Sequence, residues 1–252
     1  MNDLTRRIVV TLAEIACVFG TLVGMGVLGE RVEESSGGAL AADATLLAPL
    51  GPAFSIWSVI YLGLAAYTVV QWLPSRTSDP RFRATGGLAA ISMVLNAAWL
   101  LVTQQGWLWA SVVVILALVI TLGLLVQRLA PANNTLDHLV VDGTFGLYLG
   151  WVAVATCANI TATLVESGVD LGRTANQIVA VLVIAVAVGV IAVVLRQTGR
   201  RLAVALAAAW GLAWIAVGRL TDQPNSTIVG VAAAIAAAVV LLLWTRTPEG
   251  SR

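Results

Sequence analysis

Long apolar runs, broken at intervals by short polar stretches, set the frame of this chain. A helix needs roughly 20 apolar residues to cross the hydrocarbon of a bilayer. Eight runs reach that length, at 8–28, 52–73, 85–104, 107–127, 139–163, 175–195, 201–218 and 226–245. Each predicts a transmembrane helix. All seven prolines fall between these runs, at their edges or in the tail, so no helix is expected to break in its middle. Pro52 stands where a proline suits the first turn of the second helix.

Composition points the same way. The chain is 59% hydrophobic and 11% charged, with mean hydropathy +0.93. Soluble domains carry about 25% charged residues. The fold class is therefore all-α, a polytopic membrane helix bundle whose first partner is the lipid bilayer. A net charge of +1 gives no reason to expect nucleic acid. The first apolar run is long and lacks a convincing small-residue cleavage site, so no cleavable signal is read. All fourteen basic residues are arginine, which excludes a retinal Schiff base and other lysine-imine chemistry. Cys17 and Cys157 both lie inside apolar runs and read as small hydrophobes.

The arginines also give an orientation. With the N-terminus cytoplasmic, eleven fall on the inside and only Arg31, Arg173 and Arg219 outside. That is the positive-inside pattern, and it puts both termini in the cytoplasm. The inside set includes Arg200, Arg246 and Arg252. High Ala, Val and Arg without Lys suggest a GC-rich bacterial genome, hence the plasma membrane. The loop at 29–51 is the only long outer one, rich in Ala, Gly and Ser, and reads as a lid.

Polar residues inside the spans carry the functional signal. Amides are costly in hydrocarbon without a partner, so they should face the bundle interior. Three spans combine amides with aromatics. Phe54, Trp57 and Tyr61 share one face of the second helix, at i, i+3 and i+7. Ser92, Asn96, Trp99 and Thr103 share one face of the third, and Tyr148, Trp151, Ala155 and Asn159 form a stripe on the fifth. At 1.5 Å per residue, Trp57 and Tyr61 lie about 8 and 14 Å below the outer face. Trp99 and Asn96 lie roughly 8 and 12 Å below it. Three helices thus bring aromatics and amides to one outer half, as a pocket wall for a flat apolar ligand. The competing reading is that Asn96 and Asn159 only bond between helices.

The remaining unusual residues are assigned plainer roles. Trp72, Trp107, Trp109 and Trp244 read as interface anchors, and Trp210 and Trp214 as packing. Glu14 and Asp142 are the acids inside spans, each expected toward the cytoplasmic end and unpaired; His138 lies at that mouth. Gly20 and Gly24 form a GxxxG contact face, within the protomer or between protomers. The glycosylation sequons at Asn133 and Asn225 read as chance matches. No catalytic motif, catalytic set or metal set is visible, so an enzyme is not expected.

The segment Pro52-Ala53-Phe54-Ser55-Ile56-Trp57-Ser58-Val59-Ile60-Tyr61, the pair Asn96-x-x-Trp99, and Tyr148-x-x-Trp151-Val152-x-x-Ala155-Thr156-x-x-Asn159 resemble the TspO family of tryptophan-rich sensory or translocator proteins. The likeness covers the first five helices. It divides the chain into a TspO-like five-helix core at 1–165 and three additional helices with a short tail at 166–252. Such extra helices occur in longer bacterial relatives. The resemblance implies a five-helix bundle, often a homodimer, that binds tetrapyrroles and, in animal members, cholesterol and synthetic drug ligands. The family pocket lies under the loop joining helices one and two. By carry-over, Trp57, Tyr61, Asn96, Trp99, Tyr148, Trp151 and Asn159 are the expected ligand-binding residues. No obligatory cofactor is implied, only a tetrapyrrole ligand.

The chain departs from the family in Leu50-Gly51-Pro52-Ala53, which lacks the tryptophan usual before helix two. Porphyrin photochemistry that leans on that region is therefore not expected. The leading expectation is a membrane sensor for a flat apolar, porphyrin-like ligand, with Arg31 the nearest cation for its propionates. The alternative is a small-molecule transporter, which usually carries broken helices and mid-membrane charge that this chain lacks in clear form.

Overall fold

The computed structural model describes residues 1–132, 134–199 and 201–246, with residue 246 described by its backbone only. The Asn133 sequon, Arg200 and Arg252 lie outside the described residues. Among the described residues eight helices are long and apolar enough to span a membrane. They are α1 (Asp3–Gly24), α2 (Gly51–Val70), α3 (Pro80–Gln104), α4 (Leu108–Gln127), α5 (Thr135–Glu166), α6 (Arg173–Gln197), α7 (Leu202–Thr221) and α8 (Thr227–Thr245). The described residues contain no strand, only an isolated bridge between Met25 and Arg31.

Local signals set the helix ends. Asn2 caps α1, its side chain accepting from Thr5 N at 2.7 Å, and Asp79 caps α3 ahead of Pro80. The predicted first span overran: α1 stops at Gly24, and Gly26 turns the chain with φ +79°. The start moves too, so Glu14 lies midway along α1 rather than toward one end. It is buried, and its Oε2 has no hydrogen-bond partner.

The first five helices close a ring in the order α1, α3, α4, α5, α2. Lipid is as apolar as leucine, so close approach and hydrogen bonds must hold such helices together. Gly20 supplies one approach, since a Cβ there would sit 2.8 Å from Ala97 Cα. The GxxxG face of α1 is thus used against α3, inside the protomer. Outside the ring, α7 packs along α5, and α8 packs on both α7 and α6. The α5–α7 contact depends on Gly150, whose added Cβ would collide with the Val204 carbonyl.

The end carrying the N-terminus is held by ions. Asp142 pairs with Arg81 and, at 2.8 Å, with Arg201. Arg76 bridges Asp79 at 2.7 Å and Asp137 at 3.0 Å. This corrects the expectation that Asp142 is unpaired. The apolar run hid the correction, because its partners come from the starts of α3 and α7. Asp142 sits on a π-helical segment, His138–Gly143, at the beginning of α5.

Candidate ligand pocket beneath the first loop

The loop between α1 and α2 does not hang free. Thr45, Leu47 and Ala48 are buried under it, against the bundle. Four hydrogen bonds tie the loop and the start of α2 to α7. Arg219 donates from Nη1 to the Thr45 carbonyl at 2.7 Å and from Nη2 to the Ala42 carbonyl at 2.8 Å. The Leu50 amide donates to the Trp214 carbonyl at 3.3 Å, and Trp210 Nε1 to the Ala53 carbonyl at 2.9 Å. Arg219 is fully buried near the end of α7. Counted only as an outer charge in the sequence, it is a structural clamp on the lid.

Below the loop, the expected residues meet in two groups. The first is aromatic. Trp57 stacks on Tyr61 at 5.2 Å and 12°. Tyr148 and Trp151 meet Trp57 edge-on at 5.8 and 6.1 Å, and Phe54 meets Trp151 at 5.7 Å. Edge-to-face pairs of this kind add roughly 0.5–1.5 kcal/mol each beyond area burial. Asn96 fastens the group to α1 and α2, its Nδ2 lying 3.2 Å from Tyr61 Oη and 3.5 Å from Cys17 Sγ. The Tyr148 hydroxyl donates to the Ser92 carbonyl at 3.3 Å.

The second group is a polar hub on α5. Asn159 Oδ1 accepts the Trp99 indole N–H at 2.7 Å, and its Nδ2 donates to Ser111 Oγ at 2.8 Å. Ser111, on α4, was missed by the sequence reading. A serine in an otherwise apolar span was the available signal. Asn96 and Asn159 therefore do bond between helices, while each also borders the aromatic cluster or the space above it.

That space is small. A cavity of about 40 Å³ lies between loop residues Ala39–Pro49 and the floor made by Phe54, Trp99, Trp151 and Asn159. One water takes about 30 Å³ in the liquid. Trp57, Tyr61, Asn96 and Tyr148 do not line this cavity; they are packed on one another. Two buried polar atoms of the expected set lack partners, Trp151 Nε1 at the cavity and Asn96 Oδ1 within the packed cluster. Arg31 is exposed on the loop. Trp107 and Trp109 are exposed, whereas Trp72 donates from Nε1 to Thr11 Oγ1 at 3.0 Å and lies under the Arg7 guanidinium.

A family model described as TSPO-like protein matches residues 8–245, from the first helix to the last. The chain belongs to the TSPO-like protein family. The match runs through α6, α7 and α8 as well as the five-helix ring. It is a multi-pass integral membrane protein of that family. No curated protein matches the chain, and no solved structure does.

Proposed function

We propose that this TSPO-like protein is a sensor that binds a flat apolar ligand, with porphyrins the class to test, beneath the first loop and in the outer half of a bacterial plasma membrane. The observation that carries the reading is the meeting of Trp57, Tyr61, Tyr148 and Trp151 with Phe54, directly below a loop that one buried arginine clamps shut. Stacked and edge-on rings that separate offer flat faces to a flat guest. Two unpartnered polar atoms, Asn96 Oδ1 and Trp151 Nε1, offer it an acceptor and a donor.

Ligand pockets for small molecules run to about 300–1,000 Å³. The closed space of about 40 Å³ holds no porphyrin, so binding requires the loop to lift and the rings to part. The loop is therefore a gate, and α7 holds its latch.

The test is a titration of the detergent-solubilised chain with protoporphyrin IX and with haem, following tryptophan fluorescence and the porphyrin band together. Trp151 is 1% exposed, and its replacement would damage the core. Trp57 is half-buried, so Trp57→Leu is the cleaner variant. The expected result is saturable quenching at micromolar concentration or tighter, weakened at least tenfold in Trp57→Leu with helical content unchanged. Saturable binding that Trp57→Leu leaves alone would place the ligand elsewhere.

A further inference from the structure

A second cavity, far larger than the one beneath the first loop, lies elsewhere among the described residues. A groove of about 940 Å³ runs between α5 and α6, with α4 at one side. It exists because α6 packs mainly on α8 and meets α5 only sparingly. Along α6 its lining extends from Asn176 to Val190. At 1.5 Å per residue that is roughly 21 Å. Half of a bilayer's hydrocarbon is about 15 Å deep, so the groove is long enough for a full acyl chain and the first atoms of its head.

Its walls and its mouth differ in chemistry. The hydroxyls of Thr156 and Thr161 on α5 donate back to the Val152 and Cys157 carbonyls, at 2.7 and 2.9 Å. Their methyl groups are what the wall has to offer, beside Val183, Val186 and Ala187 of α6. Polar groups gather at the loop end. Asp170 and Asn176 stand there, and Thr45 of the first loop forms part of the roof. Thr45 is the informative one. Its side chain is buried, 4% exposed, and its Oγ1 has no hydrogen-bond partner, although its carbonyl is taken by Arg219. A buried hydroxyl without a partner is a costly arrangement unless something else supplies one.

The mouth also selects by charge. Asp170 is the only charged side chain among the described lining residues, and no arginine or histidine joins it. The Gly172 backbone N–H, and then the Asn176 amide, hold its carboxyl below the usual carboxylate range. An anionic head would meet a carboxylate with no counter-charge.

We propose that this groove is a binding site for a neutral glycerolipid with a free hydroxyl, of the diacylglycerol class. The chains lie along α5 and α6, and the head bonds to Thr45 Oγ1 beneath the loop. The site lies outside the five-helix ring, with α5 between it and the aromatic pocket, and the two share Thr45 of the first loop.

The experiment uses the full chain purified in detergent and native mass spectrometry with dioleoylglycerol, against dioleoylphosphatidylglycerol as the anionic contrast. The expected result is one dioleoylglycerol per chain, preferred at least tenfold over the phospholipid. Ala187→Phe fills the inner part of the groove, about 16 Å along α6 from Asn176, and should abolish that adduct. Thr45→Val keeps the shape, loses only a hydroxyl that bonds to nothing in the protein, and should weaken the adduct about three- to tenfold. Equal retention of the two lipids, or an adduct that survives Ala187→Phe, overturns the proposal. Should Ala187→Phe misfold, a dioleoylglycerol carrying a mid-chain diazirine gives the same decision on the wild type. Labelling within 153–165 and 179–190 supports the site, and labelling confined to other helices removes it.

Discussion

Replacing Arg219 with methionine should release the first loop while leaving the bundle folded. The guanidinium makes bonds of 2.7 and 2.8 Å to loop carbonyls and a third, at 3.2 Å, to Gln223 within its own neighbourhood. Hydrogen bonds to a charged group contribute about 1.5–3 kcal/mol each. Two effects cut the loss. The freed carbonyls lie at the bundle mouth, where water can replace the donor, and methionine removes the cost of burying a charge. A shift of about 2 kcal/mol in loop closure is the reasonable figure, or roughly 30-fold. Hydrogen exchange reads it directly. The amides of Ala48 and Leu50, bonded to Thr45 and Trp214 carbonyls, should exchange about 30-fold faster. Mid-helix amides of α5 and α7 should not change. Unaltered protection at Leu50 would mean that buried Leu47 and Ala48 hold the loop unaided. Uniform loss along α7 and α8 would mean that Arg219 supports the helix and not the lid.

Other consequences are simpler to state. Asn159→Leu leaves the Trp99 N–H and Ser111 without their partner; unfolding in mixed micelles should show a loss of about 1–2 kcal/mol, with Ser111→Ala costing less. Asp142→Asn removes the carboxylate shared by buried Arg81 and half-buried Arg201, leaving Arg81 the Asp137 carboxylate at 3.6 Å and Arg201 the Leu129 carbonyl, and should cost up to about 3 kcal/mol; adding Arg201→Met should recover part of it, and strict additivity would deny the pairing. Gly150→Ala should destabilise the α5–α7 contact, because its Cβ meets the Val204 carbonyl. Gly123→Ala on α4, with open space around it, should instead gain up to about 1 kcal/mol of helix propensity. Thermal unfolding of the two variants in one detergent gives opposite signs if the contact is as tight as it looks.

The ease with which each feature could be read follows from the physics that produces it. A bilayer demands unbroken apolar length, so the eight spans were visible as composition, with errors at their ends: a turn cuts the first one short at Gly26, and polar first turns extend α1, α3 and α5 beyond their apolar runs. The stripe from Tyr148 to Asn159 was visible because helical period puts those residues on one face. Pairing was not visible. Nothing in the sequence says that Asn159 would take both Trp99 and Ser111, because that choice depends on how α3, α4 and α5 meet in space. Asp142 looked unpaired because a charge count is blind to partners as distant as Arg81, 61 residues upstream, and Arg201, on the far side of α6 in the chain. Arg219 was counted for its sign, when its direction was what mattered. The groove had no signal at all. Helix α6 is rich in Val and Ala all round, so its sequence marks no face for a neighbour and none for a cavity.

Thr45 joins the two cavities, and that junction has a thermodynamic consequence. It lines both the groove and the small space above Trp99 and Trp151, and Arg219 holds its carbonyl. A guest among the aromatic rings must lift the loop segment from Ala39 to Pro49 and break the Arg219 bonds. Its apparent affinity is then reduced by the scarcity of the open state, about 30-fold for a gap of about 2 kcal/mol. A lipid that bonds Thr45 from the groove favours the closed loop and deepens the gap. Linkage then requires negative and reciprocal coupling between the sites. Dioleoylglycerol should weaken protoporphyrin IX binding, and protoporphyrin IX should displace dioleoylglycerol by the same factor. Thr45→Val should remove most of the coupling while leaving the rings of the proposed porphyrin pocket unchanged, since Thr45 contributes only to its roof. Titrating one ligand at several fixed concentrations of the other measures the factor from both sides. Two independent affinities would show that the loop moves as separate halves, one over each cavity, and that Thr45 transmits nothing between them.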